Sequence, residues 1–244
     1  MKILKTILKK IGIYKILLNI PYLKEKKRKY GLKINRDRKE AFDKFAYDCL
    51  KKVKNTMDEN DITFWLDFGT LLGAIRENDF IEHDLDLDFG IDFSSNPQFV
   101  KEVFEKNGVS ILKEFILDGQ VVEQTYSYKG VTFDIFFYFR DKNNMWTYCF
   151  TKRDVKSKNI TIDNIIYNIG FKSFKVVMKN RYTKKIIFKG ESFDVPENTE
   201  EYLIENYGPN YMTPIKDWDF VNSPSNMYEI ENKYVIEVIS SNFN

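Results

Sequence analysis

The sequence predicts an α/β fold of the α+β type, a mixed sheet with flanking helices, preceded by an amphipathic basic helix. Three observations carry this expectation. An apolar stripe of helical period fills residues 38–60, strand-like segments broken by turn pairs fill residues 109–139, and positive charge gathers at the N-terminal end. At 244 residues the chain can bury one full core. Its 21 Phe and 15 Tyr argue against disorder. The expected organisation is an arm over residues 1–37 and a single domain over residues 38–244.

The arm begins MKILKTILKKIGIYKILLNIPYL. Ile3, Leu4, Ile7, Leu8, Ile11, Tyr14 and Leu18 recur at helical spacing, with lysines mainly around them. No apolar run approaches the ~20 residues that span a bilayer. Lys5, Lys9, Lys10 and Lys15 also interrupt the apolar stretch that a signal peptide requires. Pro21 is expected to close this helix, and KEKKRK at Lys24–Lys29 follows it. Residues 1–29 would then suit an anionic membrane surface, with the protein peripheral on the inner face of the cell membrane. The alternative is a helix packed on its own domain or on a partner.

Charge and rare residues narrow the chemistry. Residues 1–40 hold 14 Lys or Arg against three acids, a local charge of +11; the rest hold 24 basic against 33 acidic residues, or −9. An acidic body disfavours long nucleic-acid contacts, so no nucleic-acid partner is expected. Cys49 and Cys149 are the two cysteines and His83 the one histidine, which excludes a Cys/His zinc site. The two cysteines, far apart in sequence, suggest reduced thiols and a cytoplasmic protein.

Beyond the arm, Phe42, Phe45, Ala46, Cys49, Leu50, Val53 and Met57 form one helical stripe. Ile62–Phe68 reads as a short buried strand, Gly69-Thr70 as a turn, and Leu71 to about Arg76 as a short helix. Asp84–Ile91 alternates as a strand. Pro97–Asn107 is an expected helix with Phe99, Val100, Val103 and Phe104 inward. Asp118-Gly119 and Lys129-Gly130 read as hairpin turns between strands. Thr161–Ile169 is ambiguous between strand and helix. VVMKNRYTKKIIFKGESFDVP reads as strands around a turn, and a last helix is expected near Thr199–Asn206.

The chemistry concentrates in His83-Asp84-Leu85-Asp86-Leu87-Asp88. Alternate strand residues share a face, so Asp84, Asp86 and Asp88 would project together, roughly 6.5 to 7 Å apart. Like charges in a row repel, and Asp is a poor strand former. A divalent cation explains the choice, because Mg²⁺ prefers carboxylate oxygens and completes its shell with water and phosphate; Mn²⁺ is the alternative. An acidic solvent face is the bland reading. Asp134 lies in the apolar run GVTFDIFFYF and reads either as a third ligand from a neighbouring strand or as a satisfied core acid.

Three further candidates bind substrate in this reading. Gly69 and Thr70 open a helix whose N–H groups suit a phosphate, and Arg76 can reach phosphate oxygens with a bidentate fork. A plain turn and a surface ion pair are the structural alternatives. His83 either touches substrate or is structural. Asp67-Phe68-Gly69 and Asp88-Phe89-Gly90 both spell the kinase DFG, but no glycine-rich loop or HRD segment accompanies them, so that match is set aside.

The run FWLDFGTLLGAIRENDFIEHDLDLDFGI resembles the LicD/fukutin-related family of the nucleotidyltransferase-fold superfamily, through Gly69, Thr70, Leu71, Leu72, Gly73, Arg76, Ile81, Asp84, Asp86 and Asp88. FDVPENTEEYLIENYGPNYMTP resembles that family's C-terminal segment through Pro196, Tyr207, Gly208, Tyr211 and Pro214. Glu82-His83 stands where the family pattern has Pro-Trp, and Leu85 replaces the central Asp of its acidic triplet. The resemblance implies a nucleotidyltransferase-fold catalytic domain that moves a phospho-alcohol, with phosphocholine favoured, from a CDP-linked donor to a glycan hydroxyl and releases CMP. It implies Asp86, Asp88 and Asp134 as metal-binding and catalytic acids, with Gly69, Thr70, Arg76, Asp84 and His83 around the substrate. It also implies lipid- or surface-linked glycan acceptors, as in lipopolysaccharide or capsule assembly. Ribitol- or glycerol-phosphate transfer, nucleotidyl transfer to a small molecule, and a non-catalytic adaptor are the alternatives.

Overall fold

The computed structural model describes residues 21–152, 158–162, 165–215, 218–219, 222–230 and 235–240. The apolar face expected of residues 3–18 lies outside them. The chain divides into two compact units, residues 1–44 and residues 45–244.

Helix α1 is described over Pro21–Asp58, and the segment that Pro21 was expected to close lies outside the described residues. In the first unit α1 is largely exposed and carries the ion pairs Arg28–Glu25 and Lys39–Asp43 one turn apart. In the second unit the helix changes character: Ala46, Cys49, Leu50, Val53 and Met57 are buried at the spacing of the predicted stripe. Among the described residues no helix is long and apolar enough to cross a membrane.

The rest of the second unit is the mixed α+β fold expected from the sequence. Strand β1 (Phe64–Leu66) leads into helix α2 (Phe68–Arg76), so Gly69 and Thr70 lie inside a helix and not in a turn before it. Strand β2 (Asp86–Asp92) pairs antiparallel with β1. Asp84 therefore precedes the strand that was expected to include it. Helix α3 (Pro97–Lys106) buries Val100, Val103 and Phe104, but Phe99 is 45% exposed, contrary to the inward place predicted for it.

Strands β3 (Ser110–Leu117), β4 (Gln120–Tyr128) and β5 (Val131–Arg140) form the expected meander. Its hairpins turn at Asp118-Gly119 and Lys129-Gly130, where both residues have positive φ, as the twist of a two-residue hairpin demands. Strands β6 (Asn144–Lys152), β7 (Lys158–Ile162), β8 (Ile165–Ile169) and β9 (Phe171–Lys179) follow. The ambiguous Thr161–Ile169 segment thus belongs to the β7–β8 hairpin. Strands β10 (Thr183–Phe188) and β11 (Glu191–Pro196) make a separate two-stranded sheet. Helix α4 (Thr199–Tyr207) and strands β12 (Met227–Ile230) and β13 (Val235–Ile239) complete the described elements.

One sheet pairing places the chemistry. The large sheet runs β12-β9-β6-β5-β4-β3-β13-β8-β7, and β2 joins it on β5 as a parallel neighbour. Flanked by β2 and β4, most of β5 is buried: Val131, Phe133, Ile135, Phe137 and Tyr138 are each at most 1% exposed. Such near-continuous apolar runs are what strands covered on both faces require. Asp134 stands in that run.

Candidate active site

Strand β2 alternates as its sequence predicts: Leu87 and Phe89 are fully buried, while Asp86 and Asp88 are partly exposed on the other face. In the parallel register, Asp88 lies opposite Asp134. Two acids on adjacent strands at one register position share a face, with their backbones about 4.8 Å apart. Thr125 lies opposite Asp134 on the third strand, and its hydroxyl donates to Asp134 Oδ1.

The N-terminus of α2 is fastened to this pair. Gly69 N–H donates to Asp88 Oδ2 at 2.9 Å, and Asp88 N–H donates to the Thr70 hydroxyl at 2.8 Å. Asp67 N–H donates to the Asp88 carbonyl at 3.1 Å. Gly69 and Thr70, expected to meet substrate, thus orient a carboxylate. A Cβ added at position 69 would collide with Asp84 Oδ2 and lie 3.1 Å from Asp88 Oδ2, so any larger residue there displaces both carboxylates.

Phe68 opens α2 with φ 32°, a backbone region that side chains rarely adopt and that costs on the order of 1–3 kcal/mol. Its N–H donates to Asp67 Oδ1 at 2.8 Å, and its ring meets Phe136 edge-on at 4.8 Å. Asp67 is the residue that sequence reading missed, set aside as part of a coincidental DFG. It is fully buried and receives hydroxyl hydrogen bonds from Tyr138 at 2.7 Å and Tyr202 at 2.6 Å. Burial nevertheless pushes its carboxyl up to about 6. An acid between an apolar strand and a helix was the available signal, since that is an N-cap position.

The acids open onto a cavity of about 430 Å³ lined by Asp84, Asp86, Asp88, Glu123 and Asp134 together with Phe68, Phe136, Phe150 and Trp218. Burial pushes the Asp88 carboxyl well above its usual range, and Asp86, Asp84, Asp134 and Asp67 push it the same way. Glu123, which the sequence did not single out, is raised to about 8, first by burial and then by Asp134. Lys113 approaches its carboxylate at 4.0 Å. Cys149 lines the cavity as a free thiol that burial holds well above its usual range. A smaller cavity of about 280 Å³ adjoins through Gly69, Asp84, Tyr207 and Trp218, and contains Arg76 and His83.

A divalent cation is the group this site implies. Among the described residues no three acids, cysteines or histidines are already gathered as a cation cage. The donor chemistry fits all the same: Asp86, Asp88 and Asp134 offer hard oxygens from two paired strands, and their mutual repulsion is what a cation relieves. The described structure brings Asp84, Asp86, Asp88 and Asp134 to one cavity and places Arg76 and His83 in its neighbour.

Comparison with known proteins identifies the family. The profile of the LicD/FKTN/FKRP nucleotidyltransferase domain matches residues 61–198, more than half of the chain. The ribitol-5-phosphate transferase FKTN of Macaca fascicularis is 27% identical over 188 residues, 77% of this chain and 37% of that protein. Its Homo sapiens counterpart is 26% identical over the same shares. The chain thus spans little more than a third of the length of these curated relatives. Among solved structures, the lincomycin-bound lincosamide antibiotic adenylyltransferase LnuA is similar at a TM-score of 0.40 and 11% identity, over 67% of this chain and 93% of that one.

Proposed function

This chain belongs to the LicD/FKTN/FKRP family, and from that premise we propose that it is a metal-dependent phosphotransferase acting on a CDP-linked alditol, with ribitol 5-phosphate the group transferred and CMP released. The observation that carries the reading is the facing pair Asp88 and Asp134 beside the N-terminus of α2. The ribitol-5-phosphate transferase activity that the FKTN relatives are named for supports ribitol phosphate as the cargo. Phosphocholine is the second reading, favoured by the carboxylates and the aromatic rings of Phe68, Phe136, Phe150 and Trp218 that share the larger cavity and would suit a quaternary ammonium.

In this mechanism a sugar hydroxyl of the acceptor glycan attacks the phosphorus that carries the alditol. A new P–O bond forms, the diphosphate P–O bond breaks, and the bridging oxygen leaves with CMP. Asp86, Asp88 and Asp134 would hold Mg²⁺ or Mn²⁺, which when bound supplies positive charge against the phosphate oxygens. Gly69 and Thr70 keep Asp88 oriented, and Thr125 keeps Asp134 oriented. One of these carboxylates takes the proton of the attacking hydroxyl. Positioning and electrostatics then supply most of the rate, because phosphoryl transfer asks little covalent chemistry of the protein.

Residues 1–29 are proposed to bring the enzyme to an anionic membrane at the cytoplasmic face, where a lipid-linked glycan would be within reach. Lys26, Arg28 and Lys29 of that segment are exposed on α1.

A thermal-shift screen with Mg²⁺ and CDP-ribitol, CDP-glycerol, CDP-choline or CTP tests the reading. The largest shift is expected with CDP-ribitol. A shift with CTP alone would replace the proposal with nucleotidyl transfer, and a shift with CDP-choline alone would select phosphocholine.

A further inference from the structure

The cavities change character along α2. Beside Gly69 the wall is acidic, whereas the smaller cavity runs on to Arg76 at the other end of the helix and is walled by Tyr207, Tyr211 and Trp218. Gly69 and Arg76 are separated by about 10 Å of helix rise. A ligand group at Arg76 is therefore a different part of the substrate from a phosphate at Asp88.

Arg76 is nine-tenths buried, with a side chain 8% exposed, and it is fixed in place. Its Nε donates to Glu77 at 2.8 Å and its Nη1 donates to the Tyr211 carbonyl at 3.3 Å. Among the described residues Nη2 makes no hydrogen bond. Glu77 offsets the guanidinium charge, and Asp84 stands in the same cavity wall. The second Nη1 N–H and the Nη2 N–H groups are thus left to a ligand as a two-nitrogen fork with little net positive charge. Such an edge suits a neutral ring bearing acceptors better than it suits a phosphate. Tyr207 and Trp218, with ring centroids 5.6 Å apart, supply faces on which such a ring can stack.

We propose that the smaller cavity holds the nucleobase of the donor, and that Arg76 selects cytosine by donating to its adjacent carbonyl and ring-nitrogen acceptors. The proposal rests on the cytidine-linked donor put forward above. Uracil carries an N–H where cytosine has the ring acceptor, so it meets the Arg76 fork with one acceptor fewer. Adenine sets an amino donor beside its ring acceptor and is opposed in the same way. A bidentate contact of this kind separates right from wrong base by about 10- to 100-fold. Arg76 is on this reading a specificity-determining residue, away from the transferred phosphorus.

The test is calorimetric titration of the full chain with CMP, UMP and AMP in the presence of Mg²⁺. The wild type is expected to bind CMP at least about tenfold more tightly than UMP. Arg76→Lys keeps the charge and removes the fork, so CMP affinity falls about tenfold, UMP affinity hardly changes, and the preference disappears. Trp218→Leu lowers affinity for CMP and UMP together. An Arg76→Lys variant that weakens both nucleotides equally, or that keeps the wild-type ratio, overturns the assignment, as does unchanged CMP binding by Trp218→Leu. A wild type that prefers AMP overturns the cytidine donor itself, and that outcome is read without any variant.

Discussion

Asp88 and Asp134 are register partners on the parallel strands β2 and β5, one bonded to the Gly69 N–H and the other to the Thr125 hydroxyl. Two carboxylates this close in a partly buried wall repel, and burial adds to the cost of charging them. The metal-free protein is therefore expected to gain stability when either charge is removed. Asp88→Asn should raise its stability by about 1–2 kcal/mol, or Tm by roughly 2–8 °C, on differential scanning calorimetry in EDTA. A lower Tm would mean that the pair is not in conflict.

Burial of acids around the site fixes a pH dependence. Asp67 is raised from 3.8 to about 6 and Glu123 from 4.5 to about 8, in both cases first by burial. The unfolded chain then loses these protons at lower pH than the folded one. In that window the folded state binds more protons, so stability falls as pH rises. For Asp67 alone the loss is on the order of 3 kcal/mol across pH 4 to 6 and above. Metal-free protein should melt higher near pH 5.5 than at pH 8. Added Mg²⁺ should raise Tm more at pH 8, where the acids are charged. Urea titrations at the two pH values, with and without Mg²⁺, check both signs.

Gly69→Ala separates site from fold. Its Cβ would displace the Asp84 and Asp88 carboxylates, and a helix interior otherwise welcomes alanine. Activity should fall by about a hundredfold or more, with stability changed by less than about 1.5 kcal/mol. Gly90→Ala is the contrast, because its Cβ would fall inside the Trp65 indole, and it should instead unfold the protein at lower temperature.

Asp67 is held by two tyrosine hydroxyls and a backbone N–H. Tyr202→Phe removes one donor to a buried carboxylate and should cost about 1.5–3 kcal/mol. The variant's stability should also decline more steeply with pH above 6, since Asp67 becomes harder to charge. Equilibrium unfolding at pH 5.5 and 7.5 measures both effects.

The alternation of β2 and the acid in the apolar run of β5 made Asp86, Asp88 and Asp134 legible, because strand faces follow a period of two and a buried strand rarely carries an acid. Asp84 was misplaced because the same alternation continues past the end of the strand. Asp67 showed locally only as an N-cap, because its partners Tyr138 and Tyr202 are 71 and 135 residues away and no local pattern encodes those contacts. The positive φ of Phe68 was equally hidden, since an aromatic residue gives no hint of that conformation.

The most direct test of the central claim is Mg²⁺-dependent release of CMP from CDP-ribitol in the presence of a glycan acceptor, comparing the wild type with Asp88→Asn and Asp134→Asn. Wild-type release that stops in EDTA, and falls on the order of a thousandfold in both folded variants, is the predicted result. Undiminished release by either variant, or by the wild type in EDTA, would contradict a metal held between Asp88 and Asp134.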